Sequence, residues 1–155
     1  MQWSRRAVLV ALLAGACAGP EGRPGGAPTA GPSVVSPERA LALAVAGEAV
    51  LVDVRLPQER VDRREPPHTA AWFPFDRYTP RQFSTAVSET VDGQRSRPVV
   101  LICEVGVRSG WAAHALTEAG FTDVMTVDRG YALWRDQALA LVDGRDMPTP
   151  DLSLD

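Results

Sequence analysis

Residues 98–120 constrain the fold more than any other stretch of the chain. Pro98-Val99-Val100-Leu101-Ile102-Cys103 is a short, β-branched apolar run with no polar alternation, the pattern of a strand buried on both faces. It runs through Glu104-Val105-Gly106-Val107-Arg108 into Ser109-Gly110-Trp111-Ala112-Ala113-His114-Ala115-Leu116-Thr117-Glu118-Ala119-Gly120, which has the composition of a helix closed by glycine. A strand covered on both faces needs helices above and below it. The chain is therefore expected to be an α/β protein with a mostly parallel central sheet flanked by helices on both faces.

The remaining segments supply matching parts. Ser36-Pro37-Glu38-Arg39 offers a capping hydroxyl and a proline at the first helical position, which predicts a helix from Pro37 to about Ala46, ended by Gly47. Ala49-Val50-Leu51-Val52-Asp53-Val54 reads as a second buried strand, and it finishes on Asp53-Val54-Arg55. Residues 57–68, charged and containing Pro66-Pro67, read as a loop. A short strand over Ala70–Phe75 is cut off at Pro74, and a helix from Pro80 to Thr90 has Thr79 as its cap. Asp92-Gly93 marks a turn, Phe121–Val127 a further strand, and Gly130–Leu141 a last helix containing Trp134. No internal repeat is visible.

With 155 residues, the chain suits one domain with one core. The net charge is −3 and the basic residues are scattered, which argues against a nucleic-acid footprint. All 16 basic residues are arginine, so Schiff-base catalysis by lysine is excluded.

The N-terminus reads as an export signal over residues 1–18. Arg5-Arg6 precede an apolar run, Ala7–Ala14, that is too short to span a bilayer, and the small residues Gly15-Ala16-Cys17-Ala18 follow. Ser4-Arg5-Arg6-Ala7-Val8-Leu9 resembles a twin-arginine signal, with an ordinary secretory signal as the alternative. Ala14-Gly15-Ala16-Cys17 resembles a lipobox, which makes Cys17 a lipidation candidate, although alanine stands where leucine is usual. The expected location is the periplasm, with contact to a membrane only through such an anchor. Residues 19–35, rich in Gly and Pro, read as a flexible tether, 36–145 as the folded domain, and 146–155 as a flexible tail.

Cys17 and Cys103 are the only cysteines in the sequence. If Cys17 is removed or lipidated, one thiol remains and no internal disulfide can form. An unpaired thiol in an oxidising compartment is a liability unless it is buried or used. Cys103 lies where ligands collect in open α/β sheets, at the carboxyl end of a strand and the amino end of a helix. Inward backbone N–H groups and the positive end of a helix stabilise thiolates and bound anions there, and Gly106 gives the loop the backbone freedom to curl.

The order Cys103-Glu104-Val105-Gly106-Val107-Arg108 followed by Ser109 resembles the six-residue active-site loop of single-domain rhodaneses. So do Asp53-Val54-Arg55 after the first buried strand, His68 before an apolar segment, Ala119-Gly120-Phe121 closing the post-loop helix, and Gly130-Tyr131-Ala132-Leu133-Trp134 after the last strand. The resemblance covers about residues 36–143. It implies a rhodanese-like fold and a ping-pong transfer in which Cys103 takes a sulfane sulfur from a small donor, holds it as a persulfide, and passes it to a thiophilic acceptor such as a thiol or cyanide. By position it implies that the amides of Glu104, Val105, Gly106, Val107 and Arg108 cradle that sulfur beside Ser109. Arg108 would face the loop or an anionic donor, and Asp53 and Arg55 would support the neighbouring strand end. It implies no metal and no organic cofactor; a monomer is expected, with a periplasmic protein as a further candidate partner.

Two departures stand out. Glu104 occupies a position where many such enzymes carry a basic or small residue, and a carboxylate there repels a dianion, so thiosulfate is expected to be a poor donor. Asp128-Arg129-Gly130 replaces paired glycines before the final helix. Rival readings are a cysteine phosphatase, which needs five residues between Cys and Arg where this loop has four, an arsenate reductase, and a non-catalytic partner-binding module. Bland roles exist for single residues as well. Cys103 can be an inert core thiol, Asp53 a cap for loop amides, His68 a loop-packing residue, and His114 a surface or helix-packing residue. Trp72, Trp111 and Trp134 suit core or rim positions better than a binding platform.

Overall fold

The computed structural model describes residues 31–62 and 64–144. The export-signal segment with Cys17, most of the tether and the tail 146–155 lie outside the described residues.

The central sheet is parallel throughout. Its strands are β1 (Ser33–Val35), β2 (Val50–Asp53), β4 (Thr69–Trp72), β5 (Val99–Ile102) and β6 (Val124–Val127), in the order β1-β6-β5-β2-β4. All four residues of each of β2, β5 and β6 are buried, as expected for unalternating apolar runs inside a two-sided sheet. Burying one such Val or Leu side chain contributes about 1.5–3 kcal/mol.

Helices α1 (Pro37–Val45), α2 (Pro80–Thr90), α3 (Val107–Glu118) and α4 (Gly130–Asp136) cover the two faces. On one face Phe83 and Val87 of α2 and Ala112, Ala113 and Leu116 of α3 pack with Val50, Val52, Val99 and Leu101. On the other, Ala40, Leu43 and Ala44 of α1 and Tyr131 and Trp134 of α4 pack with Leu51, Val100, Ile102, Met125 and Val127. The alternating sides of β2 and β5 thus feed separate cores.

The caps are the ones the sequence offers. Ser36 accepts from the Arg39 N–H, and Thr79 from the Gln82 N–H, while the Gln82 side chain accepts from the Thr79 N–H at 3.0 Å.

Several expectations need correction. Ser33–Val35, assigned to the tether, form the edge strand β1, because the apolar pair Val34-Val35 can extend the sheet once the prolines are passed. The loop 57–68 contains a one-turn 3-10 helix, Pro57–Glu59, and a two-residue strand β3 (Arg64–Glu65), which pairs antiparallel with β7 (Val142–Asp143). Helix α4 stops at Asp136 and not at Leu141, since Ala138 takes a left-handed φ of 51° that turns the chain back toward β7. His68 is not packed in its loop but exposed, at φ 62°.

Candidate active site

Cys103 directly follows β5 and is fully buried. The sheet order places β5 at the centre, between β6 and β2, so the cysteine emerges from the most constrained part of the molecule. Beyond it the chain turns through Glu104 and Val105 to Gly106, whose φ of 93° is open to glycine alone at little cost. That turn aims the Gly106 N–H at the Cys103 Sγ, 3.1 Å away. It also starts α3 immediately behind the sulfur. Ser109, buried in the first turn of α3, has its Oγ 3.5 Å from the same sulfur and donates to the Gly106 carbonyl at 3.0 Å. The hydroxyl can rotate to donate to a thiolate instead.

Helix α4 holds the loop from the opposite side. The N–H groups of Tyr131 and Ala132 donate to the carbonyls of Cys103 and Glu104, at 2.8 and 2.9 Å. These are amides of the first helical turn, which have no partner within their own helix. The approach requires Gly130, because a Cβ there would collide with the Cys103 carbonyl. Where paired glycines are replaced by Asp128-Arg129-Gly130, Arg129 adopts a left-handed φ of 46° and Gly130 one of 57°.

The loop's charges are paired off. Both η nitrogens of Arg108 bond the two carboxylate oxygens of Glu59, whose Oε2 also accepts the Leu56 N–H at 2.8 Å. Arg108 holds the Glu59 carboxyl below its ordinary pKa, and Glu59 raises that of Arg108, with smaller contributions from Cys103 and Asp76. Glu104 does not stand bare beside the sulfur, as its sequence position suggested. Its Oε1 is 2.9 Å from the Arg135 Nη2 on α4.

Asp53 and Arg55 belong to a buried ionic cluster behind the loop. Asp53 accepts from the Arg55 N–H at 2.8 Å and from Arg55 Nε at 2.9 Å, and Arg55 Nη2 reaches Glu65 at 3.0 Å. Arg60 adds a bond to Glu65 at 2.6 Å. Tyr131 lies under the Arg55 guanidinium at 3.8 Å, and Trp72 under that of Arg60 at 3.9 Å. Burial opposes the Arg55 charge, but Asp53 and Glu65 outweigh it and hold Arg55 above its ordinary value. Burial, followed by the neighbouring Asp53, pushes Glu65 up to about 7. Asp53 therefore caps a loop amide and also anchors Arg55.

The other singled-out side chains stand apart from the sulfur's own contacts. Trp134 is core, Trp72 half-buried, and Trp111 62% exposed on α3. His114 is exposed and lies 3.3 Å from Glu118. Among the described residues no group of three or more His, Cys, Asp or Glu could hold a metal. Sequence reasoning missed Glu59, Arg60 and Glu65. Pro57 followed by Glu59 is a helix-start signal that could have exposed the first. Charged residues in a loop give no sign of burial.

The Rhodanese-like domain family matches residues 36–137. The chain belongs to the rhodanese-like family. It is 37% identical over 101 residues to the thiosulfate sulfurtransferase GlpE of Pseudomonas syringae, covering 65% of this chain and 85% of that one. Among solved structures, a Rhodopseudomonas palustris protein described as of unknown function and a possible tyrosine phosphatase matches with a TM-score of 0.59 at 23% identity, over 72% of this chain and 85% of the other. A thiosulfate sulfurtransferase from Pseudomonas aeruginosa matches with a TM-score of 0.60 at 22% identity, over 75% of this chain and 21% of that longer one. These two structures share the rhodanese fold, and the GlpE relationship supports sulfurtransfer as the general activity of this rhodanese-like domain.

Proposed function

We propose that the protein moves a sulfane sulfur through a persulfide on Cys103 to a thiol or cyanide-like acceptor. The thiolate attacks the outer sulfur of the donor, the donor's S–S bond breaks, and its electron pair departs with the leaving group. Attack by the acceptor on the terminal persulfide sulfur then returns the electron pair to Cys103 as thiolate.

The observation that carries this reading is the buried sulfur itself, with the Gly106 N–H aimed at it from 3.1 Å and the first turn of α3 starting beside it. An N–H donor fixed before reaction stabilises anionic sulfur without reorganising. An inert core thiol has no need of one. The test is steady-state formation of thiocyanate from cyanide and a sulfane donor: turnover by the protein, lost in Cys103→Ser, supports transfer. Equal rates in both would refute it.

A further inference from the structure

The charges of the Cys103 loop and the exposed apolar side chains on and after it bear on the kind of donor it takes. Arg108 is the cation at the end of the loop, and both of its η nitrogens are engaged by Glu59. Arg135, the next guanidinium to reach the loop, is engaged by Glu104, and the two guanidiniums behind the site, Arg55 and Arg60, are engaged by Asp53 and Glu65. Arg129 has its backbone beside Gly106, but its side chain is exposed, where water and salt screen its charge. Asp76 adds a further carboxylate near Arg108. Among the described residues, little free positive charge therefore remains at the loop to receive a small dianion.

The exposed side chains of the loop and of the first turns of α3 have the opposite character. Val105 and Val107 are each 55% exposed and Trp111 is 62% exposed. Val107 and Trp111 are one turn apart on α3 and share a face, and Val105 precedes them in the loop. Large apolar side chains left in water on the loop that follows the nucleophile and on the first turns of α3 offer contact area to an apolar ligand.

We propose that Glu59 is a specificity-determining residue: by neutralising Arg108 it makes the loop favour a sulfane donor that carries an apolar organic group, seated on Val105, Val107 and Trp111, and at most one negative charge. This rests on the transfer reading above. With thiosulfate, the Cys103 thiolate meets a dianion and sulfite leaves with the electron pair of the broken S–S bond. With benzenethiosulfonate, one charged oxygen is replaced by a phenyl ring, and benzenesulfinate leaves by the same step. An organic persulfide reacts through its protonated form, whose outer sulfur is attacked while a single thiolate leaves with the electron pair of the broken S–S bond.

The experiment compares thiosulfate and benzenethiosulfonate by kcat/KM with cyanide as acceptor, together with the intact mass of the loaded protein. The unmodified protein should prefer benzenethiosulfonate by roughly tenfold or more, from the like charge removed near a buried nucleophile. Glu59→Gln keeps an acceptor for the Leu56 N–H while releasing Arg108, and should raise kcat/KM for thiosulfate several-fold with benzenethiosulfonate little changed. Trp111→Ala should lower benzenethiosulfonate turnover and spare thiosulfate. Equal or better use of thiosulfate by the unmodified protein would overturn the inference and leave sulfur transfer standing. So would a parallel fall for both donors in Glu59→Gln, the mark of a merely structural role. No sulfur on Cys103 with either donor would overturn the transfer reading itself.

Discussion

Gly130→Ala should damage the site without touching any side chain in it. The added Cβ meets the carbonyl of Cys103, and Gly130 has a φ of 57°, so alanine there is both blocked and strained. Left-handed backbone costs a non-glycine residue about 1–2 kcal/mol. Relief of the clash means drawing α4 back, which breaks the bonds from Tyr131 N–H to Cys103 and from Ala132 N–H to Glu104. Each is worth about 1 kcal/mol. Together the loss is roughly 3–4 kcal/mol, which lowers Tm by about 10 °C or more in a domain of this size. Thermal unfolding followed by circular dichroism measures it. Arg129→Gly is the control: it relieves a left-handed arginine at φ 46° while loosening the unfolded chain, so its net effect should stay within about 1 kcal/mol. A Gly130→Ala protein melting within about 3 °C of the parent would refute the claim that α4 is pinned to the loop carbonyls.

Three further outcomes follow from the same geometry. Ser109→Ala removes the hydroxyl 3.5 Å from the sulfur and should slow persulfide formation by roughly tenfold while Tm changes little, as read by stopped-flow loading and a melt. Arg55→Met strips Asp53 and Glu65 of their shared partner and should cost about 3–5 kcal/mol in urea unfolding. Glu65 has a folded pKa of about 7 against an ordinary 4.5, so between those values the folded state keeps a proton that the unfolded state has lost. Stability should therefore fall as pH rises through that window, by up to roughly 3 kcal/mol, and Glu65→Gln should flatten the decline seen in urea midpoints between pH 5 and 8.

What could be read from the chain was what local chemistry dictates. The β-branched run ending at Ile102, the Gly106 turn and the helix behind it were legible because burial on both faces, positive φ and glycine termination each leave a mark on sequence. The Thr79-Pro80 helix start was legible for the same reason. Strands of two or three residues were not. β3 and β7 are too short for any periodicity, and β1 follows a Gly/Pro-rich stretch that masks it. The pair Glu59–Arg108 joins residues 49 apart, and nothing local in either announces the other. Glu65 looks like surface by polarity and is buried because two arginines come with it. The Glu104 side chain could be placed beside the nucleophile from sequence, but its partner Arg135 comes from α4, across the chain fold.

The central claim is that Cys103 carries sulfur, and intact-protein mass spectrometry tests it most directly. Incubated with benzenethiosulfonate, desalted and mapped by peptide digestion, the protein should gain the mass of one sulfur atom on Cys103 and lose it on addition of cyanide. A protein that stays unmodified, or a sulfur that cyanide does not remove, would contradict the account.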